Sequence, residues 1–412
     1  MAQVAAIDYL CSTLSKTKYM TLGVAKLASF IKLRIGYAGA VVGVGCMLVF
    51  VALFSRHVLT DTTIHVQAVV RIAHGEAAMP ANFMFYTLIW LLTGFSDNFM
   101  WLMGASVLVL SIFGVLRWAA TAWLLRLLGL SDGASNWLAV ALMFVNSLPT
   151  FELFTRGCYV CYSPAPNNWM NSTVWLSWPI AVMLFGQSYA QLQRPEVRWW
   201  RSLALWLLLL LATKPSYGFV FVSVYPVLLV IRHGFSAAVR SHLLVLLVML
   251  GGIALEYALL YLSPNSLYVQ AYNHGEQSGM TIQPFRLWAM YSDNIAVSIL
   301  SALLFPMLVT MFWWRSIRKN LLFQYVWLGC LSGMLMSVLF VEKGDFYYAW
   351  NMRWQVYICS YLCFVVSAAF VWQKWQGWQR STILTRVASI CFLLHLFSGC
   401  VYLLHYYQTK HY

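Results

Sequence analysis

Residues 36–76 read GYAGAVVGVGCMLVFVALFSRHVLTDTTIHVQAVVRIAHGE, and two segments of different character meet within them. The first, Gly36 to Phe54, carries no charge and is about long enough to cross the roughly 30 Å hydrocarbon core of a bilayer as one helix. The second starts at Thr60 and Asp61. Its Val66, Val69, Val70 and Ala73 recur at i, i+3, i+4 and i+7, which predicts a helix along the membrane surface, closed by Gly75. Asp61 and His65, four residues apart, share one face of it. Pro80 ends this unit, Asn82 to Gly94 predicts a second short apolar helix, and Asp97 precedes the next span. Residues 55–98 therefore read as an external loop with two interfacial helices.

The rest of the chain agrees with a membrane setting. Of 412 residues, 61% are hydrophobic and 9% charged, against about a quarter charged in soluble domains. Soluble enzymes, disulfide scaffolds and nucleic-acid-binding modules are excluded, and the net charge of +14 reads as topology. Further apolar stretches at about 99–128, 134–149, 173–192, 199–213, 216–231, 243–262, 294–314, 321–341, 353–373 and 387–407 bring the expected total to about eleven spans, an all-α polytopic protein with 1–412 as a single membrane domain. Residues 1–34 show no removable signal, and their lysines and apolar side chains read as a segment on the cytoplasmic leaflet. Lys214-Pro215 could break one span or separate two. Two spans concentrate Lys and Arg better on the inner face, with Arg117 and Arg126 among them, and place the N-terminus inside and the C-terminus outside. Asp61, Glu76, Asp97, Glu152, Glu276, Asp293, Glu342 and Asp345 then face outward, and Glu256 alone is clearly intramembrane.

A span, an Asp just beyond it at the start of an interfacial helix, and a second such helix before span two resemble the opening of the GT-C glycosyltransferases. Those are multi-spanning enzymes that use polyprenyl-phosphate-linked sugars. The likeness is architectural over most of the chain and sharpest at Asp61 to Pro80, Lys214-Pro215-Ser216-Tyr217 and Gly344-Asp345-Phe346 through Trp350. It implies that Asp61 is the membrane-proximal carboxylate that takes the acceptor's proton or orients the acceptor; the plainer alternative is a helix cap. His65, Glu76 and Asp97 are either supporting groups or ordinary loop residues. Lys214 and Arg353, followed by Lys343 and Arg156, are candidates for the donor phosphate, with snorkelling as the alternative for Lys214. Trp169 and Asn171 in one loop, and Asp345, Tyr347, Trp350 and Asn351 in another, combine rings with hydrogen-bonding groups as a sugar site does; an interfacial aromatic belt gives the same composition. Asn171-Ser172-Thr173 also fits a glycosylation sequon, relevant only in a eukaryotic lumen.

Cys158 and Cys161 have the spacing for a disulfide in an oxidising compartment, and nothing completes a zinc site with them. No cofactor is required by the sequence, although the resemblance admits a divalent cation, Mg or Mn, at the outward carboxylates. The expectation is a glycosyltransferase of the bacterial inner membrane with its site facing the periplasm. It would move a sugar from a polyprenyl-phosphate donor to a glycan or lipid-linked acceptor, as O-antigen-modifying enzymes do. The rivals are an O-antigen polymerase or ligase with a diphosphate-linked donor, and a flippase or transporter with polar groups along a transbilayer path.

Overall fold

The computed structural model describes residues 37–56, 60–157, 159, 163–167, 169–263, 279–376 and 382–409, without the side chains of Arg156 and residues 344–346. The segment 1–34, Cys158, Cys161 and the Asp345 side chain thus lie outside the described residues. α1 (Tyr37–Ser55) leads to the two short helices expected in the first loop, α2 (Asp61–Ala73) and α3 (Met84–Leu92). Then follow α4 (Phe99–Leu127), α5 (Asp132–Leu142), α6 (Ser172–Gln193), α7 (Trp200–Thr213), α8 (Ser216–His233) and α9 (Ala237–Tyr257). The chain ends with α10 (Ile295–Phe312), α11 (Leu321–Leu339), α12 (Trp354–Gln376) and α13 (Ile383–Thr409).

Among the described residues, 8 helices are long and apolar enough to cross a membrane: α1, α4, α8, α9 with its extension to Leu262, α10, α11, α12 and α13. The other three expected spans take different forms. α6 has 22 residues but carries Ser177, Gln187, Ser188 and Gln191, and it is buried along most of its length. α7 has 14 residues and α5 only 11. One departure from an all-helical chain is a small antiparallel ladder between β1 (Met280–Ile282) and β2 (Phe340–Glu342), pairing Met280 with Glu342. It docks the segment before α10 onto the end of α11.

The chain reverses at Lys214-Pro215. Lys214 is extended, with φ −165° and ψ 122°, and Pro215 has no N–H to continue the ladder. At the far end of α8, His233 Nε2 donates to the Leu192 carbonyl at 2.9 Å, so α8 returns to the end where α6 finishes and α7 starts. His242, near the start of α9, donates to the Glu196 carbonyl at 2.8 Å at that same end. α9 therefore climbs back toward Lys214, and α7 and α8 form a hairpin.

The expectation that Arg117 faces the cytoplasm is overturned. It lies inside α4, fully enclosed, with its guanidinium 4.1 Å from the Trp178 ring centroid, 4.3 Å from Tyr361 and 5.1 Å from Trp175. It donates to Asn167 Oδ1. Asn167 in turn donates to the carbonyls of Leu142 and Val145, which the end of α5 leaves without helical partners. Beyond α5 the span continues as non-helical backbone. His395 Nδ1 donates to the Asn146 carbonyl at 2.6 Å, Asn146 N–H to the His395 carbonyl at 3.0 Å, and Ser398 Oγ to the Ser147 carbonyl at 2.5 Å. Arg117 and His395 thus join Glu256 as intramembrane ionisable groups. A helix period laid over residues 134–149 conceals this break, because apolar residues fill both halves.

The unwound segment reaches α13 by backbone contact at Gly399, where a Cβ would overlap the Phe144 carbonyl oxygen. Gly399→Ala should therefore lower the melting temperature of the purified protein by the equivalent of about 1–3 kcal/mol, the range for overpacking a close contact. Gly251→Ala, with nothing within 4 Å of the added carbon, serves as the neutral control. Equal melting of both variants would contradict the packing described here.

Candidate active site

α2 begins one residue later than its capping residue: Thr60 is extended and precedes it, while Asp61 is the first helical residue. Asp61 therefore does not cap α2, and its carboxylate sits at the positive end of the helix dipole. Its Oδ2 accepts from Asn171 Nδ2 at 2.5 Å. One turn along α2, His65 Nδ1 shares a 2.6 Å hydrogen bond with Ser172 Oγ. Asn171 and Ser172 open α6, so the start of that helix grips α2 at two points. Burial pushes the His65 imidazole down to about 4, opposed by Asp61 and assisted by Lys214, which leaves the ring uncharged at neutral pH. Its ring lies 5.4 Å from Tyr86 of α3, a phenol raised by burial and by Asp61.

Lys214, at the α7–α8 turn, faces this group. Burial lowers its ammonium from the ordinary value, Asp61, Glu342 and Glu256 act against that, and Arg353 adds to it. Among the described residues no carboxylate is close enough to Lys214 to form an ion pair. Its Nζ lies 5.4 Å from the Trp354 ring centroid, and the Arg353 guanidinium lies 4.6 Å from the same ring. Two cations and one indole thus occupy one place, a geometry in which the ring's negative face offsets part of their repulsion.

Arg353 arrives there because of a tight reversal. Trp350 has φ 45°, a left-handed conformation that costs a non-glycine residue about 1–3 kcal/mol. Packing holds it: the indole is stacked on Tyr291 at 5.8 Å and donates to the Ser337 carbonyl at 3.0 Å. The residues that follow then face β2. Asn351 Nδ2 donates to Glu342 Oε2 at 2.7 Å, Trp354 Nε1 to Asn351 Oδ1 at 3.1 Å, and Tyr261 Oη to Glu342 Oε1 at 2.6 Å. Burial raises the Glu342 carboxyl above its usual range, with these two donors and Lys214 working against it.

Of the residues singled out from sequence, the fold thus gathers Asp61, His65, Asn171, Lys214, Asn351 and Arg353. Glu76 and Asp97 stay apart: both are exposed and lie around His74 at the far end of α2, about 18 Å of helix away from Asp61. The His74 hydrogen bond of 3.0 Å holds Asp97 below its usual value. Trp169 is buried among Phe50, Phe144 and Trp175, and Trp350 is a packing residue. Tyr347 donates to Gln283 Oε1 at 2.9 Å, and Lys343 is exposed. Asn171, buried and holding the end of α6, is no open glycosylation site. Glu342, Glu256, Tyr261, Ser172 and Trp354 were not expected at the site. Trp354 follows Arg353 directly and could have been paired with it, but Glu342 and Tyr261 meet only through the β-ladder. Among the described residues no three His, Cys, Asp or Glu side chains gather as a metal-ligand set.

Lys214 and Glu342 should be energetically coupled. Lys214→Met leaves carboxylates facing one another, and Glu342→Gln removes one of them, so the double variant should recover about 0.5–3 kcal/mol relative to the sum of the single effects. Thermal unfolding of the three variants measures this, and strict additivity would separate the two residues. No protein-family model matches the chain, and no curated protein matches it in sequence.

Proposed function

We propose that the chain is a membrane glycosyltransferase of the GT-C kind, moving a sugar from a polyprenyl-phosphate donor to a glycan or lipid-linked acceptor. One observation carries this reading: Lys214 and Arg353 converge on Trp354 beside the carboxylate of Asp61. A lipid phosphate needs cations to balance its charge, and it needs most when it leaves. A sugar hydroxyl needs a base. In the step proposed, the acceptor oxygen attacks the anomeric carbon as its proton passes to Asp61. The anomeric C–O bond to phosphate breaks, and its electron pair leaves with the phosphate held by Lys214 and Arg353. The neutral His65 and the hydrogen-bonded Glu342 and Asn351 remain to meet sugar hydroxyls.

In this reading α5 with its unwound continuation, α6 and α7 complete about eleven crossings. The site faces the periplasm of a bacterial inner membrane, and the product belongs to the envelope polysaccharides. A transporter would have its intramembrane polar groups lining a path, whereas Arg117 and His395 are enclosed and turned to neighbouring backbone and rings.

The test uses purified protein in nanodiscs with a panel of undecaprenyl-monophosphate and undecaprenyl-diphosphate monosaccharides, following release of the lipid phosphate. At least one monophosphate donor should be consumed. Asp61→Asn keeps its place after the Thr60 cap and can still accept from Asn171, so it should fold like the parent while turnover falls by a factor on the order of 10² to 10⁴. Full turnover in that variant would remove Asp61 from the chemistry. Consumption of diphosphate donors alone would favour a polymerase or ligase.

A further inference from the structure

The contact between α6 and α2 does more than hold two helices together. Asn171 is 3% exposed, and its amide has one orientation open to it. Its Oδ1 accepts from Val174 N–H at 3.0 Å and from Thr173 Oγ at 2.8 Å, which fixes that end as the oxygen. The NH₂ end then points at Asp61 Oδ2, at 2.5 Å. No other hydrogen bond reaches the Asp61 carboxylate among the described residues, so Oδ1 is left without one. The neighbouring Ser172–His65 bond keeps the adjacent turn of α2 from rotating.

We propose that Asn171 is the positioning residue of Asp61, holding Oδ2 so that Oδ1 alone is presented to the acceptor hydroxyl. This rests on the reading of Asp61 as the base, and it replaces the expectation that Asn171 touches the sugar. The charge-assisted bond also favours the ionised form of the carboxylate. The titratable groups around Asp61 are His65 on its own helix, Tyr86 on α3 and Lys214 at the α7–α8 turn. None of them changes in the variants below.

Asn171→Ser and Asn171→Asp both keep a side chain that caps a helix as well as Asn does. A role confined to capping α6 therefore predicts two variants indistinguishable from the parent. The measurement is an infrared pH titration of the whole protein in nanodiscs, following the carboxyl band that disappears in Asp61→Asn. In Asn171→Ser the midpoint of that band should rise by about 1–2 pH units, the equivalent of one lost charge-assisted hydrogen bond. In Asn171→Asp it should rise further, because two neighbouring carboxylates share a proton. Melting should stay with the parent in both. Midpoints unchanged in both variants overturn the proposal. Retention of donor turnover in Asp61→Asn would instead overturn the catalytic reading and leave the titration result to stand on its own, so the two failures are distinguishable.

Discussion

Nothing in the hydrocarbon core of a bilayer can hydrogen-bond a protein group, so every ionisable side chain and every unwound turn inside this bundle has to be matched from within the chain. Arg117 meets that constraint with three aromatic rings and Asn167, and Asn167 meets it again by covering the carbonyls that α5 leaves at its end. His395 and Ser398 of α13 do the same for Asn146 and Ser147. These side chains allow α5 to stop inside the membrane region. Without them the segment between α5 and the start of α6 would have no place in the fold, and α6 would not bring Asn171 to Asp61.

The outer cluster obeys a different balance. Lys214 and Arg353 share the Trp354 ring, while Asp61, Glu256 and Glu342 act on Lys214 without forming a close ion pair. A buried pair locked at contact distance would already be neutralised. Cations held apart from their counter-charges keep their hydrogen-bonding directions for an incoming anion, and such sites hold perturbed groups for that reason. Asn171, Asn351 and Tyr261, all neutral donors, fix the carboxylates in place.

The sequence made much of this readable where the signal was local. The apolar run from Gly36, the helical period after Asp61 and the Lys214-Pro215 reversal all appear as expected, since each depends on residues a few positions apart. Convergence of Lys214 with Arg353 was expected from the resemblance and is visible in their shared ring. What depended on distant pairing was hidden. Glu342 looks like any loop acid until the β-ladder and Asn351 enclose it, and Trp350 looks like a sugar platform until its indole stacks on Tyr291. Arg117 was misplaced because a charge within an apolar stretch suggests a helix end, and only the fold supplies its cage. Asp61 was weighed as a cap, a role that falls to the residue before it.

The central claim is that Lys214 and Arg353 form one anion site beside Asp61, and a structure of the protein in nanodiscs with undecaprenyl phosphate bound tests it most directly. The phosphate should lie within hydrogen-bond distance, about 2.7–3.2 Å, of both the Lys214 ammonium and the Arg353 guanidinium, with Asp61 on the side facing the acceptor. A phosphate bound elsewhere, with both cations still resting on Trp354 and unengaged, would contradict the account.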